Sequence, residues 1–423
     1  MTESDNAGPR LSRRGLLFGA AAAGGVVVGA GGALGVRELV AGPAPSADPQ
    51  DVVDLAPAHP FYGDAGQAGV ATPPQRHIVY MTFDLTTSQR LELQVLMARW
   101  SGAIAQLMGG QTIGQVEPAR GNAIGTDTGE AFGLAPASLT VTVGLGPRVF
   151  TDTYGLTAQR PALLRDLRQL PSDALDTRFT GGDLSLQACA DDPQVAYHAV
   201  RDLARIAKDS GAAATKWAVL GFGRASAGAG QTTPRNLLGF KDGTRNIREA
   251  VDLEKFVWVA DGPAWQRPGS YQVVRKIQMH IENWDTDRIS NQNAVFGRHK
   301  ESGAPLTGAG EFDTPDFGAV DDDGKPVIDP TSHVALAAYE NNGGVRILRR
   351  SYNYTEGIDQ LGRLDAGLLF ISYQNDPAHF EALQAKLGAS DALNEYITHV
   401  GSAIFFVPPA PRQGSYIAEP MFR

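Results

Sequence analysis

Short runs in which apolar and polar residues alternate predict several β-strands in the first part of the chain. Such alternation is typical of a strand that buries one face. Apolar positions that recur every three or four residues predict amphipathic helices instead. In chain order, the pattern predicts strand 77–85, helix 91–100, strand 138–143, strand 184–190, helix 195–206 and strand 217–222. This β-α-β, β-α-β order is the split pattern of a ferredoxin-like sheet.

The second part of the chain repeats the pattern. In chain order we predict strand 271–281, helix 289–296, strands 345–354 and 367–373, helix 379–387 and strand 403–407. The sequence therefore predicts an α+β fold of two tandem ferredoxin-like halves, a duplicated arrangement of antiparallel sheets with helices.

The N-terminus has the pattern of a targeting signal. Arg13 and Arg14 lie just before an apolar run, rich in Gly and Ala, that reaches about Leu34, and small residues follow as far as Ala47. The string Ser-Arg-Arg-Gly-Leu-Leu resembles a twin-arginine signal. An uncleaved membrane anchor is the alternative, which the weak hydrophobicity of the run disfavours. We therefore expect twin-arginine export to the periplasm, the cell envelope or the extracellular space.

The expected organisation has four parts. A signal peptide covers 1–47, and a linker rich in Pro, Ala, Gly and Asp covers 48–74. An N-terminal half covers 75–245 and a C-terminal half covers 246–423. Because the twin-arginine route carries folded proteins, the signal favours a protein that loads a cofactor before export.

Charge and cysteine content exclude some classes of function. The chain has 423 residues, a formal net charge of −9 and one cysteine. Nucleic-acid binding needs clustered Lys and Arg, so the acidic balance argues against a nucleic-acid partner. A single cysteine excludes an internal disulfide and a zinc site built on several thiolates. Cys189 lies in a predicted strand and is expected to be a packed, unreactive thiol.

The loop Gly239-Phe240-Lys241-Asp242-Gly243-Thr244-Arg245-Asn246 carries the first candidate for chemistry. An aspartate between glycines is commonly a turn with a local hydrogen bond, but the glycines also allow positive φ and close approach to a planar ligand. His333 follows downstream, and Arg349 follows the histidine by sixteen residues. Together these residues resemble the haem site of the dye-decolorizing peroxidases. That family carries a G-x-x-D-G motif, a proximal histidine and a distal arginine.

The resemblance covers the chain from about His77 and implies one haem b per chain, in a pocket mainly in the C-terminal half. It implies that His333 is the proximal iron ligand and that Asp242, on the distal face, moves a proton between the peroxide oxygens. Arg349 would stabilise charge on the breaking O–O bond. A ferryl intermediate would then oxidise an organic donor.

The resemblance also suggests residues around these three. Arg298 and Asn246 are expected to contact the haem propionates, either directly or through the geometry of their loop. Asp365 is a candidate carboxylate partner for the second ring nitrogen of His333.

Other histidines and arginines are weaker candidates. His299 is the main rival ligand, but its charged neighbours suggest a surface or propionate-facing position. His280 and His399 are expected to be structural. Because Arg349 and Arg350 are adjacent on a predicted strand, they point to opposite faces, and Arg350 is expected to face solvent or form a salt bridge.

The preferred function is a haem peroxidase that reduces hydrogen peroxide and oxidises organic donors such as dyes or porphyrins. The export signal makes the chain look most like the branch associated with iron uptake, which implies release of iron from haem and iron-uptake components as partners. A non-enzymatic, exported haem-binding or haem-delivery protein is the alternative. A copper- or zinc-binding exported protein is less favoured, because no close His/Cys cluster is visible. A homo-oligomer is compatible with the sequence.

Overall fold

The computed structural model describes residues 53–223 and 233–423. The predicted signal peptide, 1–47, and the first residues of the predicted linker lie outside the described residues. Within the described ranges, no helix combines the length and apolar character needed to cross a lipid bilayer.

Among its described residues, the first half contains four strands and two long helices. In chain order they are β1 (His77–Leu85), α1 (Arg90–Met108), β2 (Thr140–Leu145), β3 (Leu184–Ala190), α2 (Pro193–Ser210) and β4 (Ala213–Phe222). The predicted elements are thus present, with longer helices than the apolar pattern indicated. Helix α2 begins where Asp192 accepts hydrogen bonds from the amides of Gln194 and Val195, and ends at Gly211 with a φ of +69°. These are ordinary start and stop signals of a helix.

The second half contains five strands and five helices among the described residues. They are α3 (Ala250–Phe256), β5 (Ser270–Met279), α4 (Ile281–Asp285), α5 (Ile289–Phe296), α6 (His333–Ala337), β6 (Leu348–Arg349), β7 (Tyr352–Ile358), β8 (Leu364–Gln374), α7 (Pro377–Ser390) and β9 (Ile397–Val407). Sequence patterning missed α3, α4 and α6, because helices of five to seven residues are too short to show a period.

The predicted strand 345–354 is divided into β6 and β7. Both pair with β8 in one continuous register, in which Arg349 lies opposite Ser372 and Tyr352 lies opposite Leu369. The alternation of side chains therefore continues through the interruption, and Arg349 and Arg350 point to opposite faces as predicted.

The nine strands described form one sheet that closes on itself. The strand order is β5-β9-β2-β3-β1-β4-β7-β8, with β6 also on β8, and pairing of β8 with β5 completes a barrel. The halves join through a β2–β9 pair and a β4–β7 pair, so one mixed α/β barrel replaces the two separate sheets that the sequence suggested. Closure removes the exposed sheet edges.

Aromatic and polar side chains fill the barrel. Tyr80 donates to the Gln272 side-chain oxygen at 3.0 Å, and the Gln272 amide donates to the Tyr373 hydroxyl at 2.7 Å. Arg350 also points inward, where it is 3% exposed and donates to the Thr72 carbonyl and the Gln75 side chain. The prediction of a solvent-facing or salt-bridged Arg350 is therefore wrong. Its inward direction follows from the alternation that sends Arg349 outward.

Helices cover the outer face of the barrel. Residues of α1 and α2, including Trp100 and Leu203, pack with β1–β4 in the largest apolar core. A smaller apolar cluster, centred on Trp284 and Phe296, lies under the short helices of the second half. This smaller cluster borders a cavity, and several of the site residues predicted from the sequence line that cavity.

Candidate active site

The cavity lies mainly in the second half, between the outer face of the barrel and the short helices, and residues between 236 and 245, at the end of the first half, also line it. Its lining residues fall between Asn236 and His399, and they include Asp242, Arg298, His333 and Arg349. These four predicted site residues, far apart in sequence, are therefore brought to one cavity. Much of the remaining wall is apolar and includes Ile277, Phe296, Leu368, Phe370, Phe380 and Leu383.

Two glycines in left-handed conformations shape the loop that carries Asp242. The φ angles of Gly239 and Gly243 are +85° and +120°, which confirms the predicted use of positive φ. The Arg235 guanidinium donates to the carbonyls of Gly239 and Lys300, at 2.8 Å and 2.6 Å. These contacts hold the Asp242 loop against the segment after α5.

Asp242 and Arg349 form an ion pair. Arg349 Nη1 lies 2.5 Å from Asp242 Oδ1, and both side chains are partly exposed. Asn246 holds the Arg349 backbone at both ends, since its amide donates to the Arg349 carbonyl at 2.7 Å and its oxygen accepts from the Arg349 amide at 2.9 Å. The Asn246 side chain thus positions Arg349, and the expected contact of Asn246 with the haem propionates stays a prediction.

His333 is the first residue of α6, and its ring faces the cavity with 34% of the side chain exposed. Its Nδ1 lies 2.7 Å from Asp391 Oδ2, which leaves Nε2 as the nitrogen for a ligand. Burial lowers the pKa of His333, but the charge and hydrogen bond of Asp391 outweigh burial and the net pKa is raised. The charges of Arg349 and Asp242 also act on the ring, so the three residues share one electrostatic environment.

The prediction that Asp365 is the carboxylate partner of His333 is wrong, because Asp391 takes that position. Asp365 lies near the start of β8, where its charge acts on Tyr354. Asp391 follows α7, is 6% exposed, and also accepts from the Leu393 amide at 2.9 Å. In the sequence, Asp391 has only the pattern of a helix-capping residue, so no local signal marks it as the partner of a histidine 58 residues earlier.

Arg298 lies near two other arginines of the cavity wall, Arg245 and Arg349, which pair with Glu340 and Asp242. Arg298 is 8% exposed and donates to the carbonyls of Gly303 and Glu311, at 2.6 Å and 3.0 Å. Burial, and then the charge of Arg245, lower the pKa of Arg298; the Glu311 carboxylate raises it, and Arg349 lowers it further. A buried guanidinium beside other cations favours an anionic group, as the predicted role of Arg298 toward propionates requires.

His399 lines the cavity as well, although the sequence pattern suggested a structural residue. It is 3% exposed, and its Nε2 lies 3.2 Å from the Gln384 side-chain nitrogen. Burial, and then the charge of Arg275, lower the pKa of His399 to about 3, so the ring is neutral at ordinary pH. The rival ligand His299 is exposed, as its charged neighbours indicated.

The residues present fit a haem group. An apolar wall suits the porphyrin faces, and clustered arginines suit the propionates. A histidine with a carboxylate on Nδ1 is the usual arrangement of a metal-ligating imidazole. The Asp242–Arg349 pair supplies a carboxylate and a fixed cation next to the histidine.

Comparison with known proteins identifies the family. The family model for the N-terminal part of Dyp-type peroxidases matches residues 67–223, and the model for the C-terminal part matches residues 233–412. The chain is 37% identical over 368 residues to a deferrochelatase of Escherichia coli K12, which covers 84% of this chain and 85% of the relative.

Comparison with solved structures leads to the same family. A DyP-type peroxidase from Streptomyces coelicolor superposes with a TM-score of 0.82 at 37% identity, over 89% of this chain and all of the other chain. Ferric DtpA from Streptomyces lividans superposes with a TM-score of 0.81 at 36% identity, with the same coverage. The chain therefore belongs to the Dyp-type peroxidase family and is a haem peroxidase.

Proposed function

We propose that the cavity is the peroxide-reducing site, in which His333 would hold the haem iron and Asp242 and Arg349 would act on hydrogen peroxide. The bound haem supplies the redox chemistry that passes oxidising equivalents from peroxide to an electron donor. The observation that carries the proposal is the direct Asp242–Arg349 pair beside a histidine whose second nitrogen is held by Asp391.

The roles follow from the chemistry of each side chain. A carboxylate such as that of Asp242 accepts a proton from one peroxide oxygen and returns it to the departing oxygen when both are within hydrogen-bond reach. Arg349 is permanently charged and stabilises the negative charge that develops as the O–O bond breaks. Asp391 fixes the tautomer of His333 and increases the basicity of its ligand nitrogen.

Rapid mixing of the haem-loaded protein with peroxide tests these roles. Asp242→Asn should slow the reaction by roughly 10²–10⁴-fold, and Arg349→Leu by roughly 10²–10³-fold. Asp365→Asn is the matched control, because it removes a carboxylate that does not line the cavity, and it should leave the rate unchanged. Full reactivity of both cavity variants would contradict the proposed roles. A His333→Ala protein with an unchanged axial-ligand spectrum would overturn the ligand assignment.

We also propose that the protein releases iron from haem. The curated relative from Escherichia coli K12 is a deferrochelatase, and the two chains align over most of their lengths. Iron release would leave a free porphyrin, which fluoresces, whereas iron-bound haem does not. Anaerobic incubation with excess haem and an iron chelator should therefore produce porphyrin fluorescence in the wild type and lose it in His333→Ala. Peroxide turnover without porphyrin formation would restrict the protein to the peroxidase activity.

We also propose that the chain consists of two ferredoxin-like halves preceded by an export signal and a linker. The strand orders β2-β3-β1-β4 and β9-β5-β8-β7 are both those expected for a ferredoxin-like half. We place the halves at 75–245 and 246–423, preceded by a twin-arginine signal over 1–47 and a linker over 48–74. Export would deliver the protein to the cell envelope or beyond, where iron-uptake components are candidate partners and dyes or porphyrins are candidate donors.

A further inference from the structure

A group of buried ionisable side chains lies in the first half, outside the lining of the haem cavity. Asp127 comes from the segment between α1 and β2, and His198 and Asp202 lie one turn apart on α2. Residues four apart share a helix face, so His198 and Asp202 point in the same direction. One nitrogen or oxygen of each of the three residues lies within 4.8 Å of the others.

The distances in this group suit metal coordination. His198 Nε2 lies 3.5 Å from Asp127 Oδ2 and 3.5 Å from Asp202 Oδ2. Four ligands arranged tetrahedrally at about 2.1 Å from a zinc ion are separated from one another by about 3.4 Å. Both distances from His198 Nε2 are therefore those of neighbouring ligands in a tetrahedral site.

One oxygen in the group lacks a partner. Asp202 is fully buried, its Oδ1 accepts from the Thr128 amide at 3.1 Å, and its Oδ2 accepts no hydrogen bond from the described part of the chain. This oxygen is the one that faces His198 Nε2. A buried carboxylate oxygen without a donor is costly, and a second buried carboxylate, Asp127, lies beside it. Asp127 accepts backbone hydrogen bonds from Ile113 on Oδ2 and from Gly129 on Oδ1, at 2.9 Å and 2.8 Å, so Asp202 Oδ2 is the oxygen that a cation would satisfy.

The second nitrogen of His198 is already held. Nδ1 lies 2.9 Å from Glu130 Oε2, and Arg201 pairs with the other oxygen of Glu130. Metal-ligating histidines almost always donate their other ring N–H to a carboxylate, which fixes the tautomer and raises ligand basicity. Donation from Nδ1 leaves the Nε2 lone pair directed at the two aspartates.

We propose that Asp127, His198 and Asp202 form a structural site for a divalent transition-metal ion, matched best to Zn²⁺. One imidazole nitrogen and two carboxylate oxygens are ordinary zinc ligands. Two carboxylates and a neutral imidazole carry two negative charges, which the ion balances. The ion ties the segment between α1 and β2 to α2, and Glu130 is a positioning residue that acts through His198. The proposal does not depend on the roles assigned in the haem cavity.

Zinc titration of the haem-loaded protein tests the site. The protein, without a histidine tag, is stripped with EDTA and titrated calorimetrically with ZnCl₂, and bound metal is counted by mass spectrometry. We expect one zinc per chain and a higher thermal midpoint in the wild type, since binding to the native state stabilises it. Asp202→Asn should abolish binding, and Glu130→Gln should weaken it by about 10–100-fold.

Asp209→Asn is the matched control, because Asp209 lies on the same helix with 58% of its side chain exposed and pairs with Arg205. It should bind zinc as the wild type does. The haem absorption spectrum reports whether each variant folds. If Asp202→Asn does not fold, X-ray absorption at the zinc edge of the wild type decides, with a nitrogen and oxygen shell at about 2.0–2.2 Å expected.

Two results would overturn the site. One is a stripped wild type that takes up no zinc. The other is equal zinc affinity in the wild type and in Glu130→Gln and Asp202→Asn, which would place the ion elsewhere on the protein.

Discussion

At the residue scale, the cavity is built from pairs in which one side chain fixes another. Asp391 fixes the ring of His333, and Asn246 fixes the backbone of Arg349. The residues expected to touch the ligand could be proposed from the sequence, because their motifs resemble those of a known family. Their partners could not, because a carboxylate or an amide that positions a neighbour looks like any capping or turn residue.

Asp391→Asn should weaken the His333 ligand without removing it. A neutral amide accepts a weaker hydrogen bond than a carboxylate, so the ligand nitrogen becomes less basic. We expect peroxide reactivity to fall by about 10–100-fold, and the iron–histidine stretching frequency of the ferrous protein to decrease in resonance Raman spectra. Asp365→Asn should change neither quantity. An unaltered stretching frequency in Asp391→Asn would show that the carboxylate does not tune the ligand.

His399 should make the protein less stable in acid. Its pKa is lowered in the folded state, from 6.5 to about 3, so the unfolded chain binds the proton first as the pH falls. The stability contributed by neutral His399 is present above about pH 6.5 and is lost progressively toward about pH 3. Between about pH 7 and pH 5 the loss is about 2 kcal/mol.

Denaturant unfolding of the haem-loaded protein at these two pH values measures the effect. His399→Gln should remove that part of the pH dependence, whereas His299→Gln, which changes an exposed histidine, should keep it. Equal pH dependence in the wild type and His399→Gln would exclude a contribution from this ring.

At the element scale, the long strands and helices follow from local patterning, and the short ones do not. Helix α6, which begins at His333, and the interruption between β6 and β7 were absent from the predicted pattern. Five residues show no helical period, and α6 forms where its backbone packs beside α5 and α7. The loop that carries Asp242 was predictable, because only glycine adopts its two positive φ angles readily.

Gly239→Ala should both lower the stability of the protein and slow its reaction with peroxide, because it distorts the Asp242 loop. The φ of Gly239 is +85°, and a Cβ there would lie 2.5 Å from Cε of Lys300. We expect a loss of about 1–2 kcal/mol from the left-handed conformation, together with slower reaction with peroxide. Gly362→Ala is the matched control, since its φ is +79° and a Cβ there meets no atom within 4 Å. Equal rates of reaction with peroxide in the two variants would show that the conformation of the Asp242 loop does not affect catalysis.

At the scale of the whole molecule, the barrel joins two halves whose patterns look alike in sequence but whose roles differ. The first half packs two long helices against its strands in a dense core, whereas the second half leaves a cavity beneath short helices. Barrel closure also directs Arg350 inward to Thr72 and Gln75, and so ties the segment before β1 to the second half.

The proposed export signal is testable on the complete chain. Replacing both arginines, by Arg13→Lys and Arg14→Lys, keeps the positive charge but removes the guanidinium pair of the twin-arginine pattern. We expect the double variant to remain inside the cell with its haem bound, whereas the wild type is recovered outside the cytoplasm. Arg10→Lys, outside the motif, should be exported normally. Export of the double variant at the wild-type level would contradict the twin-arginine assignment.

By itself, the sequence determined the family and the cofactor, through a family resemblance carried by the residues around Asp242, His333 and Arg349. It predicted that these three residues act at the haem, and the structure brings all three to one cavity. It also determined most strands and both long helices of the first half, because burial of one face imposes a period. Only the tertiary structure decided that Asp391 supports His333, that Asn246 holds Arg349, and that Asp127 meets His198 and Asp202. Those contacts join residues from separate elements, and their distances depend on how the barrel closes and how the helices pack on it.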